Sequence, residues 1–175
     1  SFYLDGIEIP NLNHFSTQGS SGGPVGIINA DFIREVDFYS GAFPADKGKA
    51  LSSMLDMKLI DGNKENLVFR GSVGATDLAL TLNGPVSDNS TFLFSYRKSY
   101  LQFLFDVLGL PFLPNYDDFL AKYKISLDQK NELSFIGLGS IDKFNLNTGI
   151  ENPDERQAYI LGYLPVNEQW SYTLG

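Results

Sequence analysis

From Thr91 to Tyr172 the chain alternates tight polar turns with long irregular loops, separated by stretches of about ten residues in which hydrophobicity alternates. The tight connections are Gly84–Ser90, Asp128–Asn131 and Pro165–Gln169, built largely from Gly, Pro, Asn, Asp and Ser, whose backbone preferences and local hydrogen bonds favour turns. The long ones run from 100 to 117 and from 143 to 155. A soluble meander has no reason to gather its short turns at one end and its long loops at the other. A barrel that crosses a membrane does, because its two ends face different compartments.

Alternation with a period of two also sets the faces of each expected strand. Leu67, Phe69, Gly71 and Val73 share one side, with Val68, Arg70, Ser72 and Gly74 on the other; Leu78, Leu80 and Leu82 stand opposite Asp77, Ala79, Thr81 and Asn83. Phe92, Phe94 and Tyr96 oppose Leu93, Ser95 and Arg97, and Phe119, Ala121, Tyr123, Ile125 and Leu127 oppose Lys122, Lys124 and Ser126. Cations opposite a row of rings suit a wet lumen behind a lipid-facing wall. Further strands are expected over 132–141 and 156–164, apolar on both sides in places.

Within the first long loop, Leu101, Leu104, Phe105, Leu108 and Leu110 recur at helical spacing until Gly109 and Pro111 interrupt them. The spacing predicts a short amphipathic helix, either packed on the rim as an apolar lid or touching ligand. Tyr3, Tyr96, Tyr100, Tyr159, Tyr163 and Trp170 are candidate interface anchors or plain sheet packing.

Composition narrows the function classes. Hydrophobic residues make up 43% and charged residues 19% of the chain, which argues against disorder. The formal charge of -8 repels phosphate backbones and argues against nucleic-acid binding. Without cysteine there are no disulfides and no thiolate metal sites. No apolar run is long enough for a transmembrane helix, a test to which half-apolar strands are blind. The first residues lack the basic start and apolar stretch of a signal peptide, and 170–175 stops inside an apparent strand, so the chain is expected to be a piece of a longer protein.

Nearer the start, Phe2–Ile9 alternates as a short strand ended by Pro10, followed by a Ser/Gly-rich loop over 14–26. A helical turn is expected over 27–32 with Asn29 or Asp31 as a cap, then strands over 34–40 and 51–60, the last closed by Asp61-Gly62.

No constellation for bond chemistry emerges, so no catalytic, cofactor-binding or metal-ligating residue is assigned and the ligand-binding residues stay unknown. His14 is the only histidine, too few nitrogen ligands for zinc, and is expected to be a solvated loop residue. The Ser16–Gly23 run lacks the lysine and ordered glycines of a phosphate-binding loop. Ser20-Ser21 beside Gly22-Gly23-Pro24 lacks the flanking glycines of a nucleophile elbow. Asp117-Asp118 supplies two carboxylates where a calcium loop needs more oxygens.

Tyr3-Leu4-Asp5-Gly6-Ile7-Glu8-Ile9 resembles a plug-domain motif of TonB-dependent outer-membrane receptors. The stretch from Asn29 to Ala45, with Phe32-Ile33-Arg34-Glu35-Val36 at its centre, resembles a later plug segment, and Gly48 with Ser53–Leu59 resembles the plug's closing part. Gly84-Pro85, Tyr96-Arg97-Lys98-Ser99-Tyr100 and Pro114-Asn115-Tyr116-Asp117-Asp118 are similar to the first barrel strands of Bacteroidetes-type members.

The resemblance implies an all-β piece of a plugged barrel of about 22 strands. Residues 1–62 correspond to the C-terminal part of the plug domain and 63–175 to the N-terminal strands of an incomplete transmembrane β-barrel. It further implies a place in the outer membrane of a Gram-negative bacterium. The function implied is binding and import of a scarce nutrient such as a siderophore, a glycan or a cobalamin. Energy would come from the TonB complex, engaged through a box that this sequence does not contain. Outer-membrane lipid, the imported ligand and the TonB complex are the implied partners; no cofactor is implied and no enzyme activity.

In that setting Arg70, Arg97, Lys122 and Lys124 are expected to point inward and meet plug acids such as Asp5, Glu35 or Asp37. The competing expectation is a secreted or surface β-sandwich that binds carbohydrate through loop aromatics, which would bury the rows of rings.

Overall fold

Period-two patterning yields strands wherever one face can be covered, and among the described residues it yields two sheets. The computed structural model describes residues 1–16, 23, 25–45, 47, 52–150 and 152–175. The small sheet contains β1 (Phe2–Leu4), β2 (Ile7–Ile9), β3 (Ile33–Tyr39) and β4 (Met54–Leu59), in the order β2-β1-β4-β3. β1 runs parallel to β4, and the other pairs are antiparallel.

The large sheet is an antiparallel meander of six strands, β5 (Val68–Val73), β6 (Asp77–Ser87), β7 (Ser90–Ser99), β8 (Phe112–Ser126), β9 (Glu132–Leu146) and β10 (Asn167–Leu174). Each strand pairs with its sequence neighbours, and β5 and β10 are its edges. The architecture is therefore mostly β; among the described residues helix is found at α1 (Leu101–Val107), α2 (Glu155–Tyr163) and a 3-10 turn at Ala30–Phe32. Asn29 caps that turn by accepting the Asp31 N–H at 3.0 Å.

Several expectations need correction. The first strand is a hairpin: Asp5 (φ 47) and Gly6 (φ 86) both take left-handed backbone angles and reverse the chain between β1 and β2. Positive φ at both central residues is what an Asp-Gly two-residue hairpin turn requires.

The strand expected over 156–164 is the helix α2. Asp154 and Gln157 form a reciprocal capping box, with the Asp154 carboxylate accepting the Gln157 N–H at 2.7 Å and the Gln157 side chain accepting the Asp154 N–H at 3.0 Å. Pro165–Gln169 is accordingly a helix-to-strand junction at the long-loop end, not a hairpin turn. The tight turns 87–90 and 127–131 share the opposite end.

The long loops are also shorter than expected, because the β8–β9 ladder continues to the pair Phe112 and Leu146. Stacking of Phe112 on Phe144, with ring centroids 5.6 Å apart, extends it. Pro114 is tolerated inside β8 because its ring nitrogen lies on the side of β7, beyond the last paired residues Lys98 and Asp117. The helix expected in the first loop is α1, and Phe105 packs edge-on against Phe112 beneath it.

One core joins the sheets. Leu4, Ile9, Ile27, Ile28, Phe32, Met57 and Leu59 from the N-terminal part pack with Leu93, Leu120, Ile136 and Leu138 from the inward positions of β7, β8 and β9. Each such side chain contributes about 1.5–3 kcal/mol when fully buried. The small sheet thus covers one face of the large one. On the other face Phe69, Leu80, Phe94, Phe119, Phe135, Trp170 and Tyr172 remain exposed. Tyr3, by contrast, is buried in the small sheet with Lys47 over its ring, which removes it from the interface anchors.

Candidate functional site

The covered face of the large sheet is polar where it is not part of the core. Register sets this up: Arg97 on β7 is directly opposite Asp118 on β8, and Tyr116 on β8 is opposite Asp142 on β9. All four side chains point toward the small sheet and are buried. Arg97 grips Asp118 with two nitrogens, Nε to Oδ1 at 3.0 Å and Nη2 to Oδ2 at 2.8 Å, and donates to the Gly26 carbonyl at 2.6 Å. A planar fork meeting a carboxylate is the geometry in which arginine binds most strongly.

Into this cluster the N-terminal part inserts His14, which is 0% exposed. Nδ1 lies 2.5 Å from Asp142 and Nε2 lies 2.9 Å from Asp118. The imidazole stacks on the Tyr116 ring with centroids 3.9 Å apart. Phe15, held at φ 56, donates its N–H to the second Asp142 oxygen at 3.0 Å. A left-handed phenylalanine is strained and persists only where neighbours hold it. Burial pulls the His14 pKa down, but the hydrogen bonds and charges of Asp118 and Asp142 outweigh it and leave the pKa above 6.5.

The expectation of a solvated loop histidine is therefore overturned. Its partners lie 104 and 128 residues away in sequence, so no local signal marks it.

A second cluster lies toward the tight-turn end. Lys122 reaches Asp5 and Asp61, each at 2.9 Å, and Lys124 bridges Asp61 at 2.9 Å and Glu132 at 2.8 Å. The Lys122–Asp5 contact is an ion pair without a well-angled hydrogen bond to Asp5 Oδ2. Asp5 Oδ1 accepts the Leu59 N–H at 3.0 Å, so one carboxylate ties the hairpin turn to β4 and to the wall. Burial raises the Asp61 pKa, yet Lys124 and Lys122 together hold its carboxyl below the usual range.

Of the expected inward cations, then, Lys122 meets Asp5, Lys124 meets Asp61, and Arg97 meets Asp118 of its own sheet. Arg70 reaches only Asp31, 3.6 Å away and largely exposed, a pair of small energetic weight. Glu35 and Asp37 do not face the wall. They share Lys58 on the far side of the small sheet, at 3.0 and 3.4 Å. Asp117 and Asp118, adjacent in sequence, point to opposite faces, and Asp117 accepts from Tyr96 at 2.5 Å and pairs with Lys98 at 2.8 Å.

This arrangement is suited to holding two layers together. Among the described residues no group of three or more His, Cys, Asp or Glu side chains is placed to hold a metal ion. Most of the Ser/Gly run 16–23, and Gly48, lie outside the described residues. On the uncovered face, Leu82, Phe92, Phe94, Tyr123 and Phe135 surround a shallow apolar groove of about 660 Å³ floored by Ala121 and Gly137.

Comparison with protein-family models, curated proteins and solved structures finds no match to this chain.

Proposed function

We propose that this chain is the late plug and the first barrel strands of a TonB-dependent receptor of the Gram-negative outer membrane. In the intact molecule its work is to bind a scarce nutrient and admit it when the TonB complex pulls on the plug. The observation that carries this reading is the division of the large sheet into two chemically opposite faces. One carries Arg97, Asp118, Lys122 and Asp142 and is covered by the small sheet; the other carries Phe69, Leu80, Phe94, Phe119 and Phe135 and is open. Exposed apolar area on this scale marks a surface made for lipid or for another protein. The groove at Ala121 and Gly137 has the apolar lining that an acyl chain favours.

A carbohydrate-binding sandwich gains no support, since its aromatic rows would be enclosed between layers. The nutrient stays a class, whether siderophore, glycan or cobalamin.

The reading is tested by refolding the chain with phosphatidylcholine vesicles and floating the mixture on a density gradient. Co-flotation, with the outward rings protected from aqueous quenchers, is the expected result. A monodisperse monomer in detergent-free buffer that ignores vesicles would overturn it.

A further inference from the structure

The His14 cluster constrains its own protonation by geometry. Each ring nitrogen faces a carboxylate oxygen, and an ionised carboxylate only accepts hydrogen bonds. Asp118 is held by two Arg97 nitrogens, one on each carboxylate oxygen. Asp142 accepts the Phe15 N–H on its other oxygen. With both acids charged, both ring nitrogens must donate, and only imidazolium does that.

The charges then balance: Asp118 and Asp142 against His14 and Arg97. The ring also meets Tyr116, whose hydroxyl donates to Asp77 of β6 at 2.6 Å, and Phe15. Lys143, beside Asp142 in sequence, is exposed on the opposite face near Glu168 and adds no charge to the cluster.

We infer that His14 is a cationic clasp, an imidazolium donating to Asp142 and Asp118 at once, which fastens the 11–16 segment to the wall of the large sheet and lets go when it loses its proton. Deprotonation leaves one nitrogen lone pair against a carboxylate and one buried negative charge without a counter-charge. Both effects push the ring out of its slot. Stacking on Tyr116 is open to either form of the ring, so the proton dependence comes from the two carboxylates. The clasp needs only the contact between the two sheets and does not depend on the membrane reading.

A single histidine makes the test clean, since every imidazole signal belongs to it. In nitrogen-detected NMR of the refolded chain, both His14 nitrogens should carry protons at pH 6. They should titrate together with a midpoint above 6.5, and the Phe15 amide should lose its exchange protection over the same range. A neutral tautomer, with one bare nitrogen while Phe15 stays protected, would overturn the inference.

Paired variants give a second reading. His14→Gln should expose the Phe15 amide to roughly tenfold faster exchange. His14→Gln combined with Asp142→Asn removes one charge of each sign and should restore most of the protection. A double variant as unprotected as the single one would also overturn it. If His14→Gln does not fold, the titration of the unaltered chain still decides.

Discussion

The ammonium of Lys122 on β8 lies 2.9 Å from the carboxylate of Asp5, which sits in the left-handed turn between β1 and β2. This pair joins the first hairpin of the chain to the middle of the large sheet. Because Lys122 is buried, its removal leaves Asp5 without its counter-charge in a partly dry space, while Asp61 keeps Lys124. Lys122→Met should therefore destabilise the protein by on the order of 3 kcal/mol, while Lys122→Arg should cost less. Chemical denaturation in detergent checks this, and a Met variant as stable as the parent would show the pair to be idle.

Tyr116 offers a finer test. Its hydroxyl donates to Asp77 at 2.6 Å while its ring supports His14. Tyr116→Phe keeps the stack and loses a hydrogen bond to a charged group, a change of about 1.5–3 kcal/mol. Tyr116→Leu should cost more and also disturb the imidazole signals. Equal losses in both would mean that the ring contact is without weight.

Stability should fall with rising pH on account of His14. Its pKa is raised in the folded protein above 6.5, so the folded state holds the proton more tightly than the unfolded one. The contribution is complete below 6.5 and is lost as pH climbs through the folded-state value. Denaturation midpoints measured from pH 6 upward should decline in the parent and stay flatter in His14→Gln. The opposite slope would mean that burial governs the ring.

Gly62 lies at the junction between the sheets, where an added Cβ would stand 2.2 Å from the Phe92 carbonyl oxygen. Backbone cannot yield as a side chain can, so Gly62→Ala should cost about 1–3 kcal/mol through overpacking. Gly139 differs: there the obstacle is the Phe119 ring, which covers the glycine from the neighbouring strand. Phe119 can move aside, so Gly139→Ala should be milder and should leave Phe119 more exposed. Thermal melts of the two variants compare them directly.

If the open face meets lipid, Leu80→Arg and Phe94→Arg should each lower stability in vesicles by about 2–4 kcal/mol near the bilayer centre. In aqueous buffer the same changes should improve solubility. Urea titration in phosphatidylcholine vesicles measures the first effect, and unchanged stability there would argue that these rings face something other than acyl chains.

The faces of β5 to β8 were legible because alternation depends on neighbours in sequence: Leu78, Leu80 and Leu82 point outward as their spacing requires, with Ala79 and Thr81 buried behind them. The helix α2 was missed because Tyr159, Ile160 and Leu161 read as a strand apolar on both sides. Its signal was the Asp154-x-x-Gln157 cap, which a count of apolar positions does not weigh. The hairpin at Asp5-Gly6 had a two-residue signature of its own inside what looked like continuous alternation. The polar cluster around His14 was of another kind, since residues from the start, middle and end of the chain meet there only once both sheets are packed.

The length of the β8–β9 hairpin carries a final consequence. Each strand has 15 residues, which at about 3.4 Å per residue is roughly 50 Å of ribbon. If the open face meets lipid, such a ribbon leaning at about 45° would stand some 36 Å tall and clear a hydrocarbon slab of about 30 Å by a few ångströms. On the proposed membrane reading that height would lift α1 and α2 to headgroup depth, and Phe103, Tyr159 and Tyr163, all exposed on those helices, would then meet the polar boundary of the lipid.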